Sequence, residues 1–171
     1  MSAAPFPKTI DPLKMVDQRV DMTGQIALSQ LDRLRDILLD NSGDVQVALR
    51  FGKDEEGIRF ISGSLQSVLS LQCQRCLQPV AYTVESALSL GIVFSEEAAK
   101  NLPGYYDPLL LDTPELEVWQ MVEEELILSL PIAARHPEGE CRIDMNCAEP
   151  VSEQPRRPNP FQVLAKLKDD Q

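Results

Sequence analysis

Apolar and polar positions follow two different periods along this chain, and the change of period organises it. Residues 1–28 hold Pro5, Pro7 and Pro12 and read as an extended arm with a strand around Val20 to Leu28. Ser29-Gln-Leu-Asp32 is a weak capping box, because Asp replaces the usual Glu or Gln. Behind it Leu31, Leu34, Ile37 and Leu38 fall at helical spacing, which predicts a helix near 30–39 ended by Asn41-Ser-Gly43. The period then shortens to two. Val45, Val47, Leu49 and Phe51 alternate with Gln46, Ala48 and Arg50, the pattern of a half-buried strand. Asp54-Glu-Glu-Gly57 makes a turn, and a second strand runs from Ile58 to about Leu71, with Gly63 suggesting a bulge. The third strand is the clearest: Val80, Tyr82, Val84, Leu88, Leu90, Ile92 and Phe94 occupy even positions, interrupted by Ser86. Three strands with short connections predict an antiparallel meander.

From residue 95 the pattern turns helical again. Glu96 to Asn101 fits one or two helical turns ended by Leu102-Pro-Gly104. Thr113-Pro114 reads as an N-cap with Pro at the first helical position, opening a helix to Pro131 whose face is Leu116, Trp119, Val122, Leu126 and Leu130. Residues 131–160 hold six prolines and two cysteines and should be irregular, and Asn159-Pro160 starts a short C-terminal helix with Phe161, Leu164 and Leu167 on one side. The expected fold class is α+β: an antiparallel meander packed against a few helices, chiefly that of 114–130. A single domain over 1–147 would precede a linker and short helix over 148–171.

Composition adds limits. The 43% hydrophobic and 25% charged residues are those of an ordinary globular domain, so a packed core is expected. No apolar run approaches the ~18 residues of a membrane span, and the N-terminus lacks a charged start followed by an apolar stretch. We therefore expect a cytoplasmic protein without membrane contact. Charge is the stronger constraint: Lys and Arg number 16 against 27 Asp and Glu, a formal −11. Phosphate repels such a chain at long range, whereas basic protein partners suit it.

The chemistry-bearing residues are few. Cys73-Gln-Arg-Cys76 lies in the turn between two strands, and Cys141 and Cys147 fall in the irregular segment. A two-residue gap lets both sulfurs face one ion, and a second pair closes a tetrahedron. Three readings stand open: a structural zinc site, ordinary free cysteines, and redox chemistry. A reducing compartment argues against disulfides. A redox pair normally opens a helix after a strand, whereas Cys76 here leads through Pro79 into a strand. We expect zinc on Cys73, Cys76, Cys141 and Cys147, with His136, the single histidine, as the alternative fourth ligand to Cys147. As a surface loop residue in His-Pro-Glu-Gly, His136 also has an ordinary explanation. Glu123-Glu-Glu125 superficially suggests paired carboxylates, but consecutive helix positions point apart, and these read as a solvated face with Glu117 and Glu124 exposed. No phosphate loop, nucleophile elbow or dinucleotide fingerprint occurs.

Several segments together resemble the bacterial YceD family. They are Leu71-Gln-Cys73-Gln-Arg-Cys76, Leu102-Pro-x-Tyr105-x-x-Pro108, Val122-Glu-Glu-Glu125-Leu-Ile-Leu-x-Leu-Pro131, His136-x-x-x-x-Cys141 and Pro158-Asn-Pro-Phe161-x-Val-Leu-x-x-Leu-Lys168. The resemblance spans nearly the whole chain in order. It implies a non-enzymatic ribosome-biogenesis factor that supports accumulation of large-subunit (23S) ribosomal RNA. A zinc-dependent or thiol-based enzyme is the alternative class. The expected partner is ribosomal RNA or a basic ribosomal or assembly protein. For RNA the basic candidates are Arg156, Arg157, Lys166 and Lys168, flanking the apolar side of Phe161, Leu164 and Leu167, plus Lys8, Lys14 and Arg19 near the start. For a protein partner the candidate is the stretch 101–134, whose seven acidic residues (Asp107, Asp112, Glu115, Glu117, Glu123, Glu124, Glu125) stand without Lys or Arg.

Overall fold

The structure, a computed structural model, describes residues 5–141. The linker and C-terminal helix expected over 148–171 lie outside the described residues. The three alternating segments form the meander: β3 (Asp44–Lys53), β4 (Arg59–Gln72) and β5 (Pro79–Val93), antiparallel throughout. The sheet extends on both sides. β2 (Asp21–Ala27) pairs antiparallel with β3, and β6 (Asp107–Leu110), which the pattern did not suggest, runs parallel to β5. The order is β2-β3-β4-β5-β6. With short helices and a mostly antiparallel sheet the fold is α+β.

Alternation decides which face is covered. Val45, Val47, Leu49 and Phe51 of β3, Ile61, Leu65, Leu69 and Leu71 of β4, and Val80, Val84, Leu88 and Ile92 of β5 are all buried in one cluster. The register across β4 is unbroken around Gly63, which faces Leu49 on one side and Leu88 on the other. The expected bulge is therefore absent. Gly63 has a different reason: a Cβ there would lie 2.1 Å from the Ala48 carbonyl oxygen, so the neighbouring backbone approaches too closely for a side chain.

The core's other wall is α4 (Val118–Leu128), with Val118, Val122 and Leu126 buried at i, i+4 and i+8. Fully burying such a side chain contributes about 1.5–3 kcal/mol. This helix begins later than Thr113-Pro114 suggested. Leu116 and Glu117 form β7, which pairs with β1 (Thr9–Ile10), so the backbone stays extended to residue 117. The pairing also docks the N-terminal arm: Val118 N–H donates to the Lys8 carbonyl (2.9 Å) and Trp119 Nε1 to the Phe6 carbonyl (3.0 Å). Trp119 is half-buried rather than sealed in the core.

The arm is not wholly extended. Pro12–Gln18 form α1, capped by the Asp11 carboxylate accepting from Lys14 N–H at 3.0 Å, with Pro12 opening the first turn. The helix expected at 30–39 shrinks to a 3₁₀ turn, Leu28–Gln30, and one α-turn, α2 (Asp32–Arg35). Leu31, Leu34 and Leu38 are buried, but Ile37 is 46% exposed, and four apolar positions do not here sustain two further turns. Ser29 caps nothing in α2. The short helix α3 (Glu96–Lys100) forms as expected, with Ser95 Oγ accepting from Ala98 N–H.

Candidate metal centre

The hairpin between β4 and β5 spans Cys73 to Gln78 and is folded tightly on itself. Cys73 N–H donates to the Gln78 carbonyl and Leu77 N–H to the Cys73 carbonyl, both at 2.9 Å. Leu77 adopts φ 60°, a left-handed turn that brings the chain back toward β5. The irregular segment after α4 is stitched to this loop: Gln74 N–H donates to the Ala134 carbonyl at 2.8 Å. That bond sets His136 and Cys141 beside the two hairpin cysteines.

Four potential ligand atoms then converge. Those of Cys73, Cys76, His136 and Cys141 all lie within 4.8 Å of one another. Cys73 Sγ is 3.8 Å from Cys141 Sγ, and Cys76 Sγ is 3.4 Å from His136 Nδ1. A tetrahedral ion with metal–sulfur bonds of ~2.3 Å has sulfur–sulfur edges of about 3.8 Å, the separation of Cys73 and Cys141 Sγ. His136 Nε2 is 3.0 Å from the Pro79 carbonyl. A carbonyl can only accept, so Nε2 carries the proton and Nδ1 presents its lone pair to the sulfurs. This carbonyl brace is the usual support of a metal-ligating imidazole. Cys73 is fully buried, and Cys76, His136 and Cys141 are partly so, which places the cluster at the edge of the core.

The electrostatics point the same way. Burial works to raise the Cys73 thiol, but the backbone N–H groups of Cys76, Arg75 and His136, with the His136 side chain, overcome it and bring the thiol down to about 5. Burial first, then the neighbouring Cys76 and Cys73 sulfurs, push Cys141 up to about 11. Three thiolates this close repel one another, and a cation among them removes the conflict.

The structure thus brings together three of the four predicted cysteines, with His136 at the fourth corner; Cys147 lies outside the described residues. The same holds for Arg156, Arg157, Phe161, Leu164, Lys166, Leu167 and Lys168. The N-terminal cations are dispersed. Lys14 pairs with Asp11 at 3.1 Å, Lys8 borders a cleft beside Trp119, and Arg19 borders another with Arg50 and Lys53.

Of the seven acidic residues in 101–134, Asp107, Asp112, Glu115, Glu117 and Glu124 are exposed. The reading of Glu123 as solvated is overturned. It is 6% exposed, and its Oε1 accepts from Arg33 N–H at 2.7 Å and Leu34 N–H at 3.0 Å. Glu125 is half-buried and accepts from the Ser86 hydroxyl. No sequence signal marked Glu123, because its two donors lie some 90 residues away. Among the described residues no helix is long and apolar enough to cross a membrane.

Comparison with known proteins gives one consistent result. Residues 61–168 match the family described as large ribosomal RNA subunit accumulation protein YceD. The protein of that name from Haemophilus influenzae is 34% identical over 174 residues, covering 98% of this chain and 99% of its own length. No solved structure matches significantly.

Proposed function

The chain belongs to the YceD family of large ribosomal RNA subunit accumulation proteins, and from that premise we propose that it is a non-catalytic ribosome-biogenesis factor supporting the synthesis, processing or stability of large-subunit (23S) ribosomal RNA. The observation that carries this reading is the full-length match, which covers 98% of the chain in one alignment. The chemistry of the cysteine cluster supports the non-catalytic part. Catalytic zinc keeps one coordination position open, whereas three thiols and an imidazole this close would supply four ligands to one ion.

In this reading Cys73, Cys76, His136 and Cys141 hold one structural zinc ion. Tetrahedral coordination by sulfur with nitrogen suits zinc better than harder ions such as magnesium or calcium. The ion would fasten the segment after α4 to the β4–β5 hairpin, and such sites supply ~10–16 kcal/mol of apparent binding energy, much of it felt as folding energy. Three thiolates and a divalent ion add one further negative charge to an already acidic protein. That charge, with exposed Asp107, Asp112, Glu115, Glu117 and Glu124, favours a basic ribosomal or assembly protein over RNA as the direct partner.

Two measurements test the reading. A strain lacking the gene should show a reduced ratio of large- to small-subunit rRNA, restored by the wild-type chain; an unchanged ratio refutes the biogenesis role. Protein purified without chelator should contain one zinc per chain, and the Cys73→Ser/Cys76→Ser variant should contain none. Metal-free protein that is folded and fully reduced removes the site.

A further inference from the structure

At the end of the sheet away from the cysteine hairpin, a ladder of aromatic rings rises from the outer face. Phe60 lies across Gly52, where a Cβ would come within 2.8 Å of the ring, so glycine is what lets the ring lie flat. Tyr106 stacks on Phe60 with centroids 6.0 Å apart and planes 17° from parallel, and Tyr105 leans on Tyr106 at 4.7 Å. The turn between β3 and β4 holds this ladder in place. Asp54 Oδ1 accepts from Glu56 N–H (3.0 Å) and Ile58 N–H (2.8 Å), while its Oδ2 accepts from the Tyr106 hydroxyl (3.3 Å). The ladder is therefore a fixed platform, and its last ring, Tyr105, is 60% exposed.

The turn that Tyr106 bonds carries carboxylates outside any ion pair among the described residues. Glu55 and Glu56 are exposed, and none of the ion pairs among the described residues involves Asp54, Glu55, Glu56 or Asp107. The nearest cations in sequence, Lys53 and Arg59, act elsewhere: Lys53 Nζ is 2.8 Å from an Asp17 oxygen, and the Arg59 charge also lowers the Asp17 pKa. Burial raises both phenols first; after it come Glu56 then Asp54 for Tyr105, and the charge and hydrogen bond of Asp54 for Tyr106.

We propose that Tyr105, backed by Tyr106 and Phe60 and set against the acidic turn Asp54-Glu55-Glu56 that Tyr106 bonds, is a docking surface for an extended Arg- and Lys-rich segment of a protein partner. A guanidinium or ammonium group lies well over an exposed aromatic face, and the adjacent carboxylates supply the opposite charge. The formal −11 of the chain steers a basic segment toward the protein and RNA away from it. The proposal deepens the reading in which a basic protein is the direct partner, and rests on it.

The test uses the full-length protein and a fluorescein-labelled peptide of alternating Arg and Gly, followed by fluorescence anisotropy at physiological salt. Tyr105→Ala should weaken binding about two- to fivefold, the exposed cation–π range, and Glu55→Gln/Glu56→Gln should weaken it comparably. Tyr105→Phe, which keeps the ring, should bind as wild type does. Asp36→Asn/Glu85→Gln removes the same charge at exposed positions elsewhere and should leave binding unchanged. Near-ultraviolet circular dichroism checks that each variant is folded. Equal losses from the two double variants, no effect of Tyr105→Ala, or tighter binding of a single-stranded RNA oligonucleotide than of the peptide would each overturn the proposal. Because binding is read on purified protein, it stands or falls separately from the rRNA phenotype.

Discussion

Glu123 is the side chain whose removal should expose most about how the helical layer is held. Its carboxylate lies inside the protein and serves as the cap of a helix in another part of the chain, accepting from Arg33 and Leu34 N–H. Alanine in its place leaves both amides without an acceptor. The Leu34 amide is buried, so it loses its bond outright, while the Arg33 amide is only partly buried and water can reach it. An orphaned buried donor costs about 1–3 kcal/mol and a lost cap about 0.5–2. Together, Glu123→Ala should cost about 2–4 kcal/mol, from a total stability of about 5–15 for a domain of this kind. Glu123→Gln keeps an amide oxygen in place and should cost about 1 kcal/mol. Its neighbour provides the control. Glu124 pairs with Arg33 at 3.1 Å across exposed surface, and Glu124→Ala should cost no more than about 0.5 kcal/mol. Urea titrations read by Trp119 fluorescence and far-ultraviolet circular dichroism would measure all three. A Glu123→Ala loss no larger than that of Glu124→Ala would show that α2 does not depend on the buried carboxylate.

Two further predictions concern the sheet and the first helix. Gly63→Ala should destabilise the protein by more than about 2 kcal/mol, since the added carbon collides with the Ala48 carbonyl, whereas Gly104→Ala, which meets nothing within 4 Å, should be nearly neutral; equal midpoints in urea would refute the close approach. Asp11, which caps α1, has its pKa lowered by the Lys14 backbone N–H first and the Lys14 side chain next. Its stabilisation is therefore present above the unfolded carboxyl value of about 3.9 and is lost as pH falls through the lower folded value. Asp11→Ala should lower the melting temperature at pH 7 and make little difference near pH 2; a gap that persists at pH 2 would refute the capping role.

The strands were legible because alternation is a local property. Val45 to Phe51 and Val80 to Ile92 declare a buried side by themselves, and a sheet with that side covered is the direct result. What the pattern missed depends on distant partners. Leu116 and Glu117 read as helix until β1 pairs with them, and β6 offers only a short apolar run whose neighbour is β5. Asp11-Pro12 was a legible start signal for α1, obscured by Pro5 and Pro7 before it. At the cluster, Cys73 and Cys76 were visible from spacing and Cys141 followed from composition. His136 needed the Pro79 carbonyl to fix its tautomer and the Gln74–Ala134 bond to bring it near, and neither is written in local sequence. Glu123 was misread for the same reason, as its donors come from the opposite end of the chain.

The docking of the first residues has a consequence for the order of events during synthesis. Phe6 is held by Trp119, 113 residues later, and Thr9 pairs with Glu117. At the usual ~5–20 residues per second of translation, the arm, already bonded to Gln25 through Phe6, waits roughly 6–23 s for this second set of partners. The meander, built from neighbours in sequence, assembles within that interval, with its apolar side covered only by Val16 and the segment 28–38 until α4 emerges. A nascent chain stalled before residue 116 would thus hold its beginning through Phe6 and Gln25 but lack the second tie to Glu117 and Trp119, with its sheet only partly covered.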